Sequence, residues 1–170
     1  TIIFPNGDQI YVGSATAYRV HLQAIEKTGY LRLLYGKLRN VISTFGPRKN
    51  LQVQTPAATM GVRGTDFYVA SVGTDERVNV SVLRGEVALK STQIKTGPTG
   101  VAPAPTLIKA GLTGETSTTT DVRVHNVYKE DLQEAKELTT LKQTSHSKDI
   151  LKLEQKAVQS VKNEIKVTDP

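Results

Sequence analysis

From Arg77 to Val82 the chain alternates strictly, with Val78, Val80 and Val82 on one side and Asn79 and Ser81 on the other. A period of two is the signature of an extended strand, since successive side chains point to opposite faces of a sheet. Arg84-Gly85 supplies a turn, and Glu86-Val87-Ala88-Leu89-Lys90 returns, so the segment predicts a β-hairpin. The same text recurs along the first two thirds of the chain. Ile2-Ile3-Phe4 and Gln9-Ile10-Tyr11-Val12 flank Pro5-Asn6-Gly7-Asp8, whose Asn-Gly step favours a tight turn. Tyr18, Val20 and Leu22 alternate, as do Leu51 with Val53 and Phe67 with Val69. Tyr30 to Tyr35 has no clear period, and the bracketing Gly29 and Gly36 favour a strand between them. Many short strands without helical crossovers predict a mainly β fold. The architecture is a compact many-stranded β domain, a sandwich, a barrel or a β-solenoid-like stack, and not a parallel α/β sheet. The proline-rich 96–106 and the polar run Thr113 to Thr120 are expected to lie on the surface.

The text changes near residue 125. Residues 1–125 carry 14 Lys and Arg against 8 Asp and Glu, while 126–170 carry 8 of each, so the net charge of +6 belongs to the first part. Beyond the change the residues are Lys, Glu, Leu, Gln and Ala, which favour helix. Two parts are expected: a β domain over 1–125 and a helical tail over 126–170, as two helices or one broken helix. Asn126 reads as a helix cap, followed by a stripe of Tyr128, Leu132, Ala135, Leu138 and Leu141. A second stripe runs through Ile150, Leu153, Ala157, Val161 and Ile165. Short helices with one narrow apolar face need a partner surface. Docking on the β domain, pairing with each other, self-association and capture of a partner through Leu153 and Val161 all stay open.

A search for reactive chemistry returns little. No Cys is present, which removes thiolate ligands, disulfides and cysteine nucleophiles. His21, His125 and His146 lie far apart, without metal-ligand spacing. No nucleophile elbow or phosphate-loop glycine pattern occurs, so neither an enzyme nor a cofactor is expected. No apolar run is long enough for a membrane span. Lys37, Arg39, Arg48 and Lys49 form a basic cluster near Tyr30 and Tyr35 and are candidate interaction residues. Without a nucleic-acid-binding motif they argue against nucleic acid as the partner.

One segment is specific. Thr55-Pro56 and Ala58 precede Val62-Arg63-Gly64-Thr65, with Phe67 and Val69 following and Val80, Val82, Gly85 and Val87 downstream. This resembles the signature of the FecR-type periplasmic domain. Phe4 to Ile10 is similar to the family's early strand pair, Leu34 to Arg39 to its glycine-arginine segment, and Ile108 to Gly111 to its terminal turn. The motif residues Pro56, Gly61, Val62, Arg63, Gly64, Thr65, Asp66, Phe67 and Gly85 read mainly as architecture. Gly61 and Gly64 suit backbone geometry closed to other residues, and Pro56 suits a strand start or edge. Arg63 is expected to be a buried structural residue, paired with Asp66 or with turn carbonyls.

The resemblance implies a non-catalytic periplasmic or cell-envelope module that contacts another envelope protein. It also implies a chain that begins inside the domain, with its targeting segment outside these residues. Two alternatives stand beside it. One is a fragment of a transmembrane sensor that regulates a sigma factor, as in the iron-uptake members. The other is an envelope protein that binds carbohydrate or peptidoglycan, motivated by the basic surface and exposed Tyr residues.

Overall fold

A computed structural model describes residues 1–4, 7–22, 28–43, 50–72, 76–92 and 104–140. Twelve strands form in chain order: β1 (Ile2–Ile3), β2 (Gln9–Val12), β3 (Ala17–Leu22), β4 (Thr28–Val41), β5 (Asn50–Gln54), β6 (Ala58–Val62), β7 (Asp66–Val72), β8 (Arg77–Arg84), β9 (Glu86–Ser91), β10 (Thr106–Lys109), β11 (Leu112–Thr116) and β12 (Arg123–Asn126). A single helix, α1, covers 129–140 among the described residues. The fold is mainly β with a C-terminal helix, as the alternating text predicts.

β4 organises the molecule. Its first half pairs with β3 and β5, and its second half, Gly36 to Val41, pairs with β2 and β7. One strand thus belongs to two layers. The first layer contains β3, β4, β5, β6, β9 and β10, and the second contains β1, β2, β4, β7, β8, β11 and β12. Among the described residues all pairings are antiparallel except β4 with β5. Parallel neighbours need a long connection. Here the second half of β4 provides it, carrying the chain across to the other layer before it returns.

Gly29 and Gly36 do not bound this strand; it runs through both. At Gly36 the backbone has φ of +104°, and an added Cβ would lie 2.6 Å from the Thr16 Cα. Only glycine combines that dihedral with that approach. The register slips at Ala17/Tyr18, where Leu34 on the opposing strand has no partner. This bulge turns the strand from one layer into the other.

The core lies between the layers. Leu31, Leu33, Leu38, Val53, Met60, Phe67, Val69, Val78, Val80, Val82, Val87, Leu89 and Ile108 are all fully buried there. Burying each such side chain favours folding by about 1.5–3 kcal/mol. Gly114 faces inward too, where an added Cβ would meet Leu89 Cδ2 at 2.6 Å and Ile108 Cδ1 at 2.9 Å.

Three expectations are corrected. The run from Thr113 to Thr120 is not a surface segment throughout, because Thr113, Thr116 and Ser117 are buried. Their hydroxyls are satisfied internally: Thr113 with Ser81 at 2.8 Å, Thr116 donating to the Thr120 carbonyl at 2.8 Å, and Ser117 with Thr120 Oγ1 at 2.9 Å. Polarity does not enforce exposure when every hydroxyl finds a partner. Asn126 does not cap a helix. It ends β12, paired with Leu112, and its carbonyl lies 2.8 Å from the His125 ring. Pro56 sits at neither a strand start nor an edge. It occupies the turn joining β5 to β6, where the Thr55 amide donates to the Ala58 carbonyl at 2.8 Å. Most of the proline-rich segment, Leu141 and the second helical stripe lie outside the described residues.

Candidate functional site at the signature turns and the docked helix

The signature residues meet at one end of the sandwich. Gly64 has φ of +61° and Gly85 has φ of +82°. An added Cβ on Gly85 would lie 2.8 Å from Thr65 Cγ2 and 3.0 Å from the Gly64 carbonyl. The turn after β6 and the turn between β8 and β9 therefore press backbone against backbone. The next turn joins them: the Ala110 amide donates to the Gly85 carbonyl at 3.0 Å, and the Gly111 amide to the Val82 carbonyl at 2.8 Å. Thr65 is buried, and its carbonyl accepts from the Ile42 amide at 2.8 Å. Segments far apart in sequence thus read as one structural unit.

Val62 and Phe67 project into the core. Gly61 behaves differently from Gly64: its φ lies outside the left-handed range, and an added Cβ would meet Ala88 Cβ at an ordinary 3.7 Å. Backbone geometry does not require glycine there. Arg63 is exposed rather than buried, and it forms no hydrogen bond or ion pair among the described residues. Its expected partner, Asp66, is taken by Arg39. Arg39 Nε donates to Asp66 Oδ1 at 3.0 Å and Nη2 to Oδ2 at 2.8 Å, a two-pronged pair whose side chains are only 15% and 16% exposed. The hydrogen bond to Asp66 holds the Arg39 pKa above its ordinary value. Asp66 opens β7 opposite Val41 of the adjacent β4, and Arg39 lies two residues from Val41 on the same face, so the strand pairing itself brings the two side chains together on a diagonal.

The same Arg39 reaches the helix. Its Nη1 donates to the Ala135 carbonyl at 3.0 Å and to Thr139 Oγ1 at 2.6 Å. Lys37, two residues earlier and so on the same face of β4, donates to both Glu134 oxygens at 2.6 and 2.7 Å. Tyr68 on β7 also donates to Glu134. Ser81 on β8 donates to Asp131 at 2.8 Å and accepts from Thr113. Under these polar contacts lies a small apolar patch of Tyr68, Ala70 and Ala135, with Leu83 and Leu138 beside it. Leu83 faces the helix because it shares the parity of Ser81, two residues earlier on β8, while Val82 between them points into the core. A groove of about 330 Å³ opens between the helix and the β2–β3 turn, lined by Gly13, Lys37, Tyr68, Glu134 and Glu137.

Electrostatics follow from this geometry. Burial and the hydrogen bond to Glu134 push the Tyr68 phenol well above its usual range. Burial alone would raise Glu134, but hydrogen bonds from Lys37 and Tyr68 outweigh it and hold the carboxyl below its ordinary value. Glu134 stays ionised and anchors two strands to one helical turn.

Of the basic candidates, Lys37 and Arg39 are joined here, while Arg48 and Lys49 lie outside the described residues, as do Leu153 and Val161. Sequence reasoning missed Tyr68, Ser81, Asp131, Glu134 and Thr139. The signal available was parity: Lys37, Arg39, Tyr68, Ala70 and Ser81 all occupy the non-core face of their strands. No group of three or more potential metal-ligating His, Asp or Glu side chains occurs among the described residues. Nor is any helix among them long and apolar enough to cross a membrane.

No curated protein matches the chain significantly. Two crystal structures of a protein designated an anti-sigma factor, from Parabacteroides distasonis, share the fold. They were solved at 1.65 and 2.50 Å resolution, and each aligns with a TM-score of 0.61 at 16% identity over 78% of this chain. The present chain spans 57% of the length of those structures. The family model described as FecR protein matches residues 1–88. Those residues carry the Arg39–Asp66 pair and the meeting of Gly64 with Gly85, and the chain belongs to the FecR family.

Proposed function

We propose that this chain is a non-catalytic protein-interaction module of the cell envelope that serves a regulatory relay. Family membership supports the regulatory part. The observation that carries the interaction part is the outer face of β4, β7 and β8, which is built to hold a helix. Two cations, a phenol and a hydroxyl are spaced to grip acidic residues and a carbonyl on successive helical turns, over an apolar patch sized for alanine and leucine. Helix-in-groove recognition uses this combination of apolar contact and flanking charge. The two-part organisation, a β module over 1–125 and a tail over 126–170, lets the tail occupy that face or yield it to another envelope protein. The likeness to a protein designated an anti-sigma factor supports a place in a transmembrane relay that ends on a sigma factor, with this module on the periplasmic side.

The test compares the full chain with one lacking residues 126–170, by light scattering after size exclusion and by capture from an envelope extract. Loss of the tail should expose the face and change either the oligomeric state or the captured partner. Identical behaviour of the two chains would remove the helix from the mechanism. A sigma-factor gene beside the coding sequence would favour the relay over a purely structural envelope role.

A further inference from the structure

The opposite outer face, on the layer of β3, β4, β5, β6 and β9, lies uncovered among the described residues. It carries an unusual row. Arg19 stands opposite Arg32, Arg32 opposite Gln54, Gln54 opposite Thr59, and Thr59 opposite Lys90, five side chains in register across five strands. At the usual strand spacing the row is about 19 Å long. Arg19 and Arg32 are both exposed and directly opposed, and neither forms an ion pair or hydrogen bond among the described residues. Like charges facing each other across a strand pair destabilise a sheet. The neighbouring row is Tyr30, Gln52, Gly61, Ala88 and Leu107. Tyr30 is 36% exposed, and Gly61 and Ala88 leave a flat floor beside it. Neither row holds a carboxylate; the nearest in register, Glu86, stands opposite Lys109 at the far edge.

We infer that this face binds an acidic polysaccharide laid across the strands. The chemistry of the two rows selects that ligand class. Arginine forks pair with carboxylates two-pronged, amides exchange hydrogen bonds with hydroxyls, and a tyrosine ring covers the C–H face of a pyranose. The flat floor admits a ribbon-like chain where an α-helix or a globular partner would need relief. Three cations, Arg19, Arg32 and Lys90, with no anion paired to them among the described residues give the complementary charge. This inference is independent of the helix-binding reading, since it concerns the other layer.

The experiment measures binding of the full chain to a fluorescein-labelled polyuronate oligosaccharide at low and moderate ionic strength. Neutral dextran and a single-stranded DNA of equal charge serve as comparators. The expected result is salt-sensitive binding to the polyuronate, with dextran and DNA at least about tenfold weaker. The double variant R19E/R32E should lose about tenfold or more in affinity. The double variant K129E/K136E makes the same charge change on the exposed side of α1 and should leave binding within about threefold. Arg32→Glu alone relieves the like-charge pair and should raise the melting temperature by roughly 1–3 °C while binding falls. That opposition separates a ligand-binding arginine from a structural one. Absence of polyuronate binding, equal binding of DNA, equal loss in both double variants, or a change of oligomeric state in R19E/R32E that accounts for the loss would each overturn the proposal.

Discussion

The two outer faces of this sandwich start from the same strand and end differently. On the second half of β4, Lys37 and Arg39 point outward and are claimed by the helix. On the first half, Tyr30, Arg32 and Leu34 point outward and stay exposed. The strand's bulge and Gly36 separate the two fates within a few residues. The covered face is lined by Tyr68, Ala70, Ser81 and Thr113, all buried although they face away from the core. A cation therefore says little by itself. What decides its role is whether the chain supplies an anion of its own at the right height, as Asp66 and Glu134 do for the covered face.

The largest test of this contrast is Arg39→Ala. It removes the contacts to Ala135 and Thr139 and leaves the mostly buried Asp66 carboxylate without its pair. Breaking a partly buried pair from one side destabilises more than the pair itself contributes. A loss of about 3 kcal/mol is expected, lowering the melting temperature by roughly 6–12 °C. Arg32→Ala, on the bare face, should change it by no more than about 0.5 kcal/mol. Similar losses for both would erase the distinction between the faces.

Ala135→Asp comes next. Ala135 is fully buried against Tyr68 and Ala70, so a carboxylate there meets an apolar patch beneath an acidic helix. The helix can lift away rather than bury the charge, which limits the penalty to about 2 kcal/mol. Amide exchange should speed up across 129–140 while strands β7 and β8 remain protected. Protection of the helix at wild-type level would show that its docking does not depend on this patch.

The β domain was legible in the sequence because its strands obey parity on the core side. Val78, Val80 and Val82 are inward, as the alternation requires. The FecR resemblance rested on glycines whose reason is geometric at Gly64 and Gly85 but not at Gly61. The helix-docking face was not legible. The residues that grip the helix, Lys37, Arg39 and Ser81, are polar, and polar residues opposite a hydrophobic face ordinarily read as solvated. Arg63 misled for a related reason: Asp66 is near in sequence, yet the partner of Asp66 comes from β4, a strand pairing that no local pattern announces. Asn126 misled because asparagine is equally at home before a helix and at a strand end.

A smaller effect distinguishes the charge on the covered face from its packing. The Glu134 carboxyl is held below its ordinary value by Lys37 and Tyr68. Its folded value therefore lies under its unfolded one, and the stabilisation is complete above roughly pH 4.5 and fades as pH falls through the folded value. Glu134→Gln should lower stability by less than about 1 kcal/mol at neutral pH, since the carboxylate is 41% exposed and solvent weakens its ion pair. The gap between wild type and variant should close on acidification below about pH 4. A gap that persists at acid pH would assign the effect to shape rather than charge.

The smallest expected effect belongs to the face that the described residues leave uncovered. Gly61→Ala adds a methyl that meets Ala88 Cβ at 3.7 Å, ordinary van der Waals contact, in a backbone conformation open to any residue. Glycine within a strand carries excess conformational freedom in the unfolded chain, so the substitution should stabilise by about 0.5 kcal/mol, roughly 1–2 °C. The matching change on the core side, Gly114→Ala, drives a methyl to 2.6 Å from Leu89 and should destabilise instead. The two glycines therefore act as opposite reporters of what lies above each face. Should Gly61→Ala lower the melting temperature by several degrees, something must pack closely on that row, and the contrast between a covered and an open face would fail at its most direct test.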